Sequence, residues 1–230
     1  MDILTVKNLE KSFDEKKIID DVSFAVKSGK IVGLLGKNGS GKTTIIKLIN
    51  DLLTADNGEI LIDGMPFSEK TKAIVSYLPE RTYLDNTKTV EQTLNFFEDF
   101  YTDFDRKKAQ ELLEDLDLDV KSPLAKMSKG MKEKVQLVLV MSRRAKLYIL
   151  DEPLGGVDPS TRDYIMQTIL SNFAEDSSLL ITTHLISDVE KILDEVIFID
   201  KGKILLFDDA ESLREKENCS IDELFRRTVK

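Results

Sequence analysis

One cysteine, Cys219, stands in the 230 residues. No internal disulfide can form, and a reducing compartment is the default expectation. Long apolar runs are missing too. Stretches such as residues 31–35 and 137–141 fall far short of the roughly 18–20 residues that span a bilayer. The start, Met1-Asp2-Ile3-Leu4, lacks the basic residues and apolar stretch of a signal peptide. The expected location is therefore cytoplasmic, with any membrane contact made through a partner. Basic excess is absent: 33 Lys and Arg face 42 Asp and Glu, a net charge of −9. That speaks against duplex nucleic acid as the main ligand. It leaves a phosphate ligand open, because local backbone donors and one lysine hold phosphate whatever the distant surface carries. No repeat, linker or low-complexity tract interrupts the chain, and 41% hydrophobic with 33% charged residues fits one globular domain over 1–230.

What is present is an α/β pattern. Short β-rich runs cover residues 3–6, 22–26, 31–35, 59–62 and 73–78, then 147–150, 179–182, 196–199 and 204–207. Several are continuously apolar, as strands of a mainly parallel sheet covered on both faces are. The early runs add antiparallel β-hairpin content. Residues 43–53 read as a helix. Between residues 90 and 144 the period becomes helical: Val90, Leu94, Phe97 and Tyr101 form one stripe, Ala109, Leu112, Leu113 and Leu116 another. Thr89 and Gln92 predict a capping box. The reading is a core of about 1–84 and 145–207, an inserted helical subdomain of about 85–144, and a helical C-terminal extension of about 208–230. Ser220 and Glu223 predict a second capping box on a short final helix of about ten residues, with Leu224 and Phe225 as its docking face. The pairs Phe96-Phe97 and Phe100-Tyr101 are read as mostly core, with part of that stripe available to a partner's helix.

Two motifs carry chemistry. Gly36-Lys37-Asn38-Gly39-Ser40-Gly41-Lys42-Thr43 fits G-x-x-x-x-G-K-[ST], and Thr44 completes the candidate nucleotide-binding set. Glycines let successive N–H groups converge on phosphate oxygens, and the loop ends at a helix N-terminus that favours anions. Lys42 would reach the β- and γ-phosphates and the Thr43 hydroxyl would ligate Mg2+. The second motif is an apolar run ending in Asp151-Glu152. Asp151 is the candidate magnesium ligand. Glu152, one residue on, points elsewhere and is the candidate for polarising an attacking water.

Met127-Ser128-Lys129-Gly130-Met131 lies between the two. With it, the set resembles the ATP-binding-cassette (ABC) ATPases, whose signature reads Leu-Ser-Gly-Gly-Gln at this place. The resemblance runs from about Leu4 to Phe225. It implies a P-loop NTPase fold with ATP and Mg2+ as ligands. Phe13 matches the aromatic that stacks on adenine, although a ring near a hairpin packs into a core as readily. Glu80, in Tyr77-Leu78-Pro79-Glu80, stands where a loop glutamine usually contacts magnesium. Asp158, in Gly155-Gly156-Val157-Asp158, matches the loop at the dimer interface, or it caps the helix after it. His184, the only histidine, matches the switch residue that contacts the γ-phosphate. The implied assembly is a head-to-tail homodimer, or a heterodimer with a similar ATPase. In it the signature residues Ser128, Lys129, Gly130 and Met131 of one subunit face ATP held by the other.

Lys129 in a helix's first turn opposes the helix dipole unless an anion neutralises it. A partner's ATP phosphate and plain solvent are the two readings of that lysine. The resemblance further implies a motor subunit at the inner face of the cell membrane, attached to an integral membrane permease. The signature spelling and the closing helix resemble the bacterial export branch. An ABC ATPase acting on nucleic acid or ribosomes is the alternative, and no nucleic-acid partner is expected. A GTPase is disfavoured by the absence of Asn-Lys-x-Asp.

Overall fold

The computed structural model describes residues 1–155, 159–173 and 176–229. Two strands open the chain, β1 (Asp2–Phe13) and β2 (Lys16–Lys27), paired antiparallel. They run longer than the apolar cores at 3–6 and 22–26 because bulges absorb their polar stretches. Asn8 and Asp21 both take positive φ, and the Asn8 amide donates to the Asp21 carboxylate at 2.8 Å. Next come β3 (Ile31–Leu35), α1 (Lys42–Ile49) and β4 (Asn57–Ile62), the last pairing with β1. The order β2-β1-β4 makes a three-stranded antiparallel sheet.

The second sheet holds the site. Its strands are β5 (Val75–Leu78), β6 (Leu147–Asp151), β7 (Ser178–Thr183), β3, β8 (Glu195–Asp200) and β9 (Lys203–Asp209), in that spatial order. All neighbours are parallel except β9, which returns antiparallel along β8. Every residue of β6 and β7 is buried, as their continuous apolar runs require. Leu147 and Ile149 face a core shared with α1 and the antiparallel sheet. Tyr148 and Leu150 face the larger core on the opposite side.

That larger core is covered by helices. They are α3 (Val90–Phe100), α4 (Arg106–Asp115), α5 (Lys129–Met141) and α6 (Pro159–Asn172), then α7 (Ile186–Val189), α8 (Ala210–Glu217) and α9 (Ile221–Thr228). Thr89 and Gln92 form the reciprocal capping box expected of α3. Its aromatic pairs split by helical period. Phe97 is buried and Tyr101 half-buried, whereas Phe96 and Phe100 are 55% and 66% exposed and stack on each other. The helical segment is fastened to the sheet edge by buried Arg143, which donates to the Val75 and Ala73 carbonyls and pairs with Asp103.

Three boundaries differ from expectation. The run beginning at Ala73 is split, because α2 (Glu69–Ile74) precedes β5 and Ser68 and Thr71 cap it reciprocally. Helix α1 stops at Ile49, and the chain turns through Asp51 at φ 55°. Helix α9 has eight residues, and its capping box is half made. Ser220 Oγ accepts from the Glu223 N–H, while the Glu223 side chain pairs with Arg227. Among the described residues no helix is long and apolar enough to cross a membrane.

Candidate functional site

Strands β3, β6 and β7 end together: Leu35 pairs with Thr183, and Asp151 with Thr182. Ligands of open α/β sheets bind outside such carboxyl ends. The turn 36–41 leaves β3 there and feeds α1. Its glycines meet steric limits. A Cβ on Gly36 would lie 2.6 Å from the Ile199 carbonyl oxygen, and Gly41 adopts φ 112° with Ile19 Cδ1 against it. Asn38, Gly39, Gly41, Lys42, Thr43 and Thr44 line one side of an open cleft of about 920 Å³, with Ile18, Glu80, Arg81, Thr82, Lys129, Glu152, Gly155 and His184 around the rest.

Lys42 is buried at 4% exposure. Its Nζ donates to the Gly36 carbonyl at 2.7 Å and the Lys37 carbonyl at 3.3 Å, and pairs with Glu152 Oε1 at 3.1 Å. Glu152 is aimed by its backbone. At φ 50° it occupies the left-handed region, a conformation that costs a non-glycine residue of order 1–3 kcal/mol. Its N–H is held by the Thr182 carbonyl at 3.0 Å and the Thr182 hydroxyl at 3.1 Å. The turned side chain brings Oε2 to 2.9 Å from His184 Nδ1. Lys42, Glu152 and His184 thus form one chain of contacts along the cleft floor.

Asp151 sits beneath. Its Oδ1 accepts from the Thr182 hydroxyl at 2.6 Å and the Thr43 hydroxyl at 3.3 Å. Burial pushes its carboxyl above the usual range; the two threonine hydrogen bonds oppose this, and the Glu80 and Glu152 charges add to it. Oδ2 is buried without a hydrogen-bond partner. A partnerless carboxylate oxygen beside a threonine hydroxyl fits Mg2+, which takes one or two protein oxygens and fills its other positions with water and phosphate. Among the described residues no cluster of three or more His, Cys, Asp or Glu could hold a metal by itself.

Ser40 is buried and its hydroxyl has no partner. Ser128 Oγ caps α5 by accepting from the Met131 N–H at 3.2 Å, and Gly130 lies in that first turn. Met131 is partly exposed. Lys129 reaches the cleft rim and pairs with Glu133 at 3.5 Å while staying mostly exposed. Phe13, 43% exposed at the end of β1, is not among the cleft-lining residues, whereas Ile18 beyond the hairpin is. Asp158 lies outside the described residues. Two residues at the site were not marked by the sequence motifs: Thr182, which holds both Asp151 and Glu152, and Gln136, a buried carboxamide on α5. The signal for Gln136 was one polar residue inside the apolar run 135–141.

A glycine-rich turn between strand and helix, with buried Lys, Thr and strand-end Asp, defines a phosphate-loop nucleotide-binding protein. The ABC transporter family model matches residues 19–155, and the chain belongs to that family. It is similar to the ABC transporter ATP-binding protein YtrB of Bacillus subtilis, with 33% identity over 93% of this chain and 74% of that one. The lipopolysaccharide export system ATP-binding protein LptB of Haemophilus influenzae is 31% identical over 94% and 95% of the two chains. The solved ATP-binding subunit of an ABC transporter superposes with a TM-score of 0.89 at 29% identity, covering 99% of this chain and 100% of that one. The protein is an ATP-binding subunit of the ABC transporter type, whose ATP-binding domains are ATPases coupled to transport.

Proposed function

We propose that this chain is the motor of an exporter. Two copies, or this chain and a similar ATPase, close head to tail around two ATP molecules and drive a separate integral membrane permease. The observation that carries the reading is the Lys42–Glu152–His184 chain of contacts on the cleft floor. Lys42 has a carboxylate where a phosphate would sit. ATP entering the loop offers Nζ a stronger anion and frees Glu152 from it. The freed carboxylate, still bonded to His184, polarises a water. Attack on the γ-phosphorus breaks its bond to the β–γ bridging oxygen, ADP leaves, and Glu152 takes the water's proton.

Thr43, Asp151 and Glu80 are the residues that would hold Mg2+, which when bound neutralises charge on the phosphate oxygens. The N-terminus of α5, capped by Ser128, is the end offered to the partner's ATP, with Lys129 as an added cation. That lysine gains little from Glu133, because its own end of the pair is exposed to solvent. The stacked Phe96 and Phe100 are the proposed part of a surface that a permease helix covers. The chain then works in the cytoplasm at the inner face of the cell membrane. Export rests on the signature spelling and on relatives such as LptB, whose name states export. Nothing in the comparisons supports the nucleic-acid alternative.

The test is co-purification of the tagged chain from a detergent extract of its host. The expected result is an integral membrane protein in the eluate, with ATPase activity that depends on it. Recovery of ribosomes or RNA with no membrane protein would favour the alternative.

A further inference from the structure

We propose that Gln136 is a positioning residue: its carboxamide fastens the Glu80 loop to α5 and so fixes that carboxylate's reach toward Thr43 and Asp151. The proposal rests on the magnesium reading above. Gln136 is 2% exposed and stands among buried Val135, Leu137 and Val138. A carboxamide there costs free energy unless both ends are bonded, and both are. Nε2 donates to the Pro79 carbonyl at 3.2 Å, and Oε1 accepts from the Tyr83 N–H at 3.3 Å. These anchors bracket Glu80, Arg81 and Thr82, all of which line the cleft.

The sheet does not hold this segment. The ladder between β5 and β6 ends at Leu78 paired with Leu150, and Pro79 has no N–H with which to extend it. Gln136 takes over at that point. It also lines a small cavity of about 30 Å³ together with Glu80, Glu133, Asp151 and Glu152. Loop, helix and strand end therefore meet at one place. Helix α5 begins at the signature segment, so one rigid element carries both the end offered to a partner and the anchor of Glu80. Movement of α5 moves Glu80.

Gln136→Met keeps length and volume and removes both bonds. The experiment measures the Mg2+ concentration giving half-maximal binding of a fluorescent ATP analogue to the full chain. It covers wild type, Gln136→Met, Glu80→Ala and the double variant. The expected result is a rise of about fivefold for Gln136→Met, the size of one net hydrogen bond, with metal-free nucleotide affinity unchanged. In the Glu80→Ala background Gln136→Met should add nothing. An unmoved half-saturation, or an equal shift in both backgrounds, overturns the proposal.

Hydrogen exchange on the wild type needs no variant to fold. The Tyr83 amide should be protected although its residue is 50% exposed, and exchange at an open-loop rate overturns the anchor. Wild-type binding that ignores Mg2+ would instead sink the metal reading, and the Tyr83 amide would still judge the anchor separately.

Discussion

At Asp151 stability and chemistry pull in opposite directions. The carboxylate is 1% exposed, with one oxygen unpartnered, so its charge is a burden to the nucleotide-free fold, and in the proposed function it becomes an asset when Mg2+ arrives. Its raised folded pKa, caused first by burial, fixes the sign of the pH dependence. Below the ordinary carboxylate range both states are protonated and the burden is absent. As pH rises toward the folded value the unfolded chain ionises first, stability is lost, and the loss is complete above that value. Asp151→Asn should therefore raise the neutral-pH melting midpoint of the nucleotide-free chain by roughly 2–4 °C, the effect of about 1 kcal/mol at this length. The gain should shrink in acid, while Mg2+-dependent turnover falls to background. Scanning fluorimetry across pH measures this, and a lower midpoint at neutral pH would contradict it.

Among the elements, α9 closes the larger core. Ile221, Leu224 and Phe225 are buried, and the Phe225 ring meets Phe198 edge-on at 5.2 Å. Glu190 secures the helix start by accepting from the Asp222 N–H at 3.1 Å. Phe225→Ala should cost about 3–5 kcal/mol in urea unfolding without changing the m-value; a cost below about 1 kcal/mol would mean the helix is not docked as described. The docking face was legible because Leu224 and Phe225 follow a serine cap. The second half of the capping box was not, since Arg227 competes for the Glu223 carboxylate. The same limit explains Ala73: a run of apolar residues does not reveal that Ser68 and Thr71 have started a helix first.

Site residues divide in the same way. Gly36, Lys42 and Thr43 were legible as candidates from one spaced motif and Asp151 from the end of an apolar run, and the structure brings the two segments together, Thr43 donating to Asp151. The Lys42–Glu152 contact bridges segments far apart in sequence, and the left-handed backbone that aims Glu152 leaves no mark in the residue pattern. Phe96 and Phe97 are adjacent in sequence, and only the helical phase separates the exposed ring from the buried one.

For the molecule as a whole, net charge of −9 means that two free copies repel one another over about a Debye length. In the proposed head-to-tail dimer, ATP held by both subunits would act against that repulsion at short range. The cleft is open, with both Lys42 and Lys129 among its lining residues, and the proposed dimer would cover it with a second cassette.

The direct test is light scattering of Glu152→Gln during size exclusion with ATP and Mg2+, with any cassette that co-purifies also supplied. Turnover in this variant should fall at least ~100-fold, as expected on losing a general base, so that ATP persists. A head-to-tail dimer predicts a particle of two cassettes, twice the 26.1 kDa chain when the copies are identical. A particle that stays at one chain's mass under saturating nucleotide would contradict it.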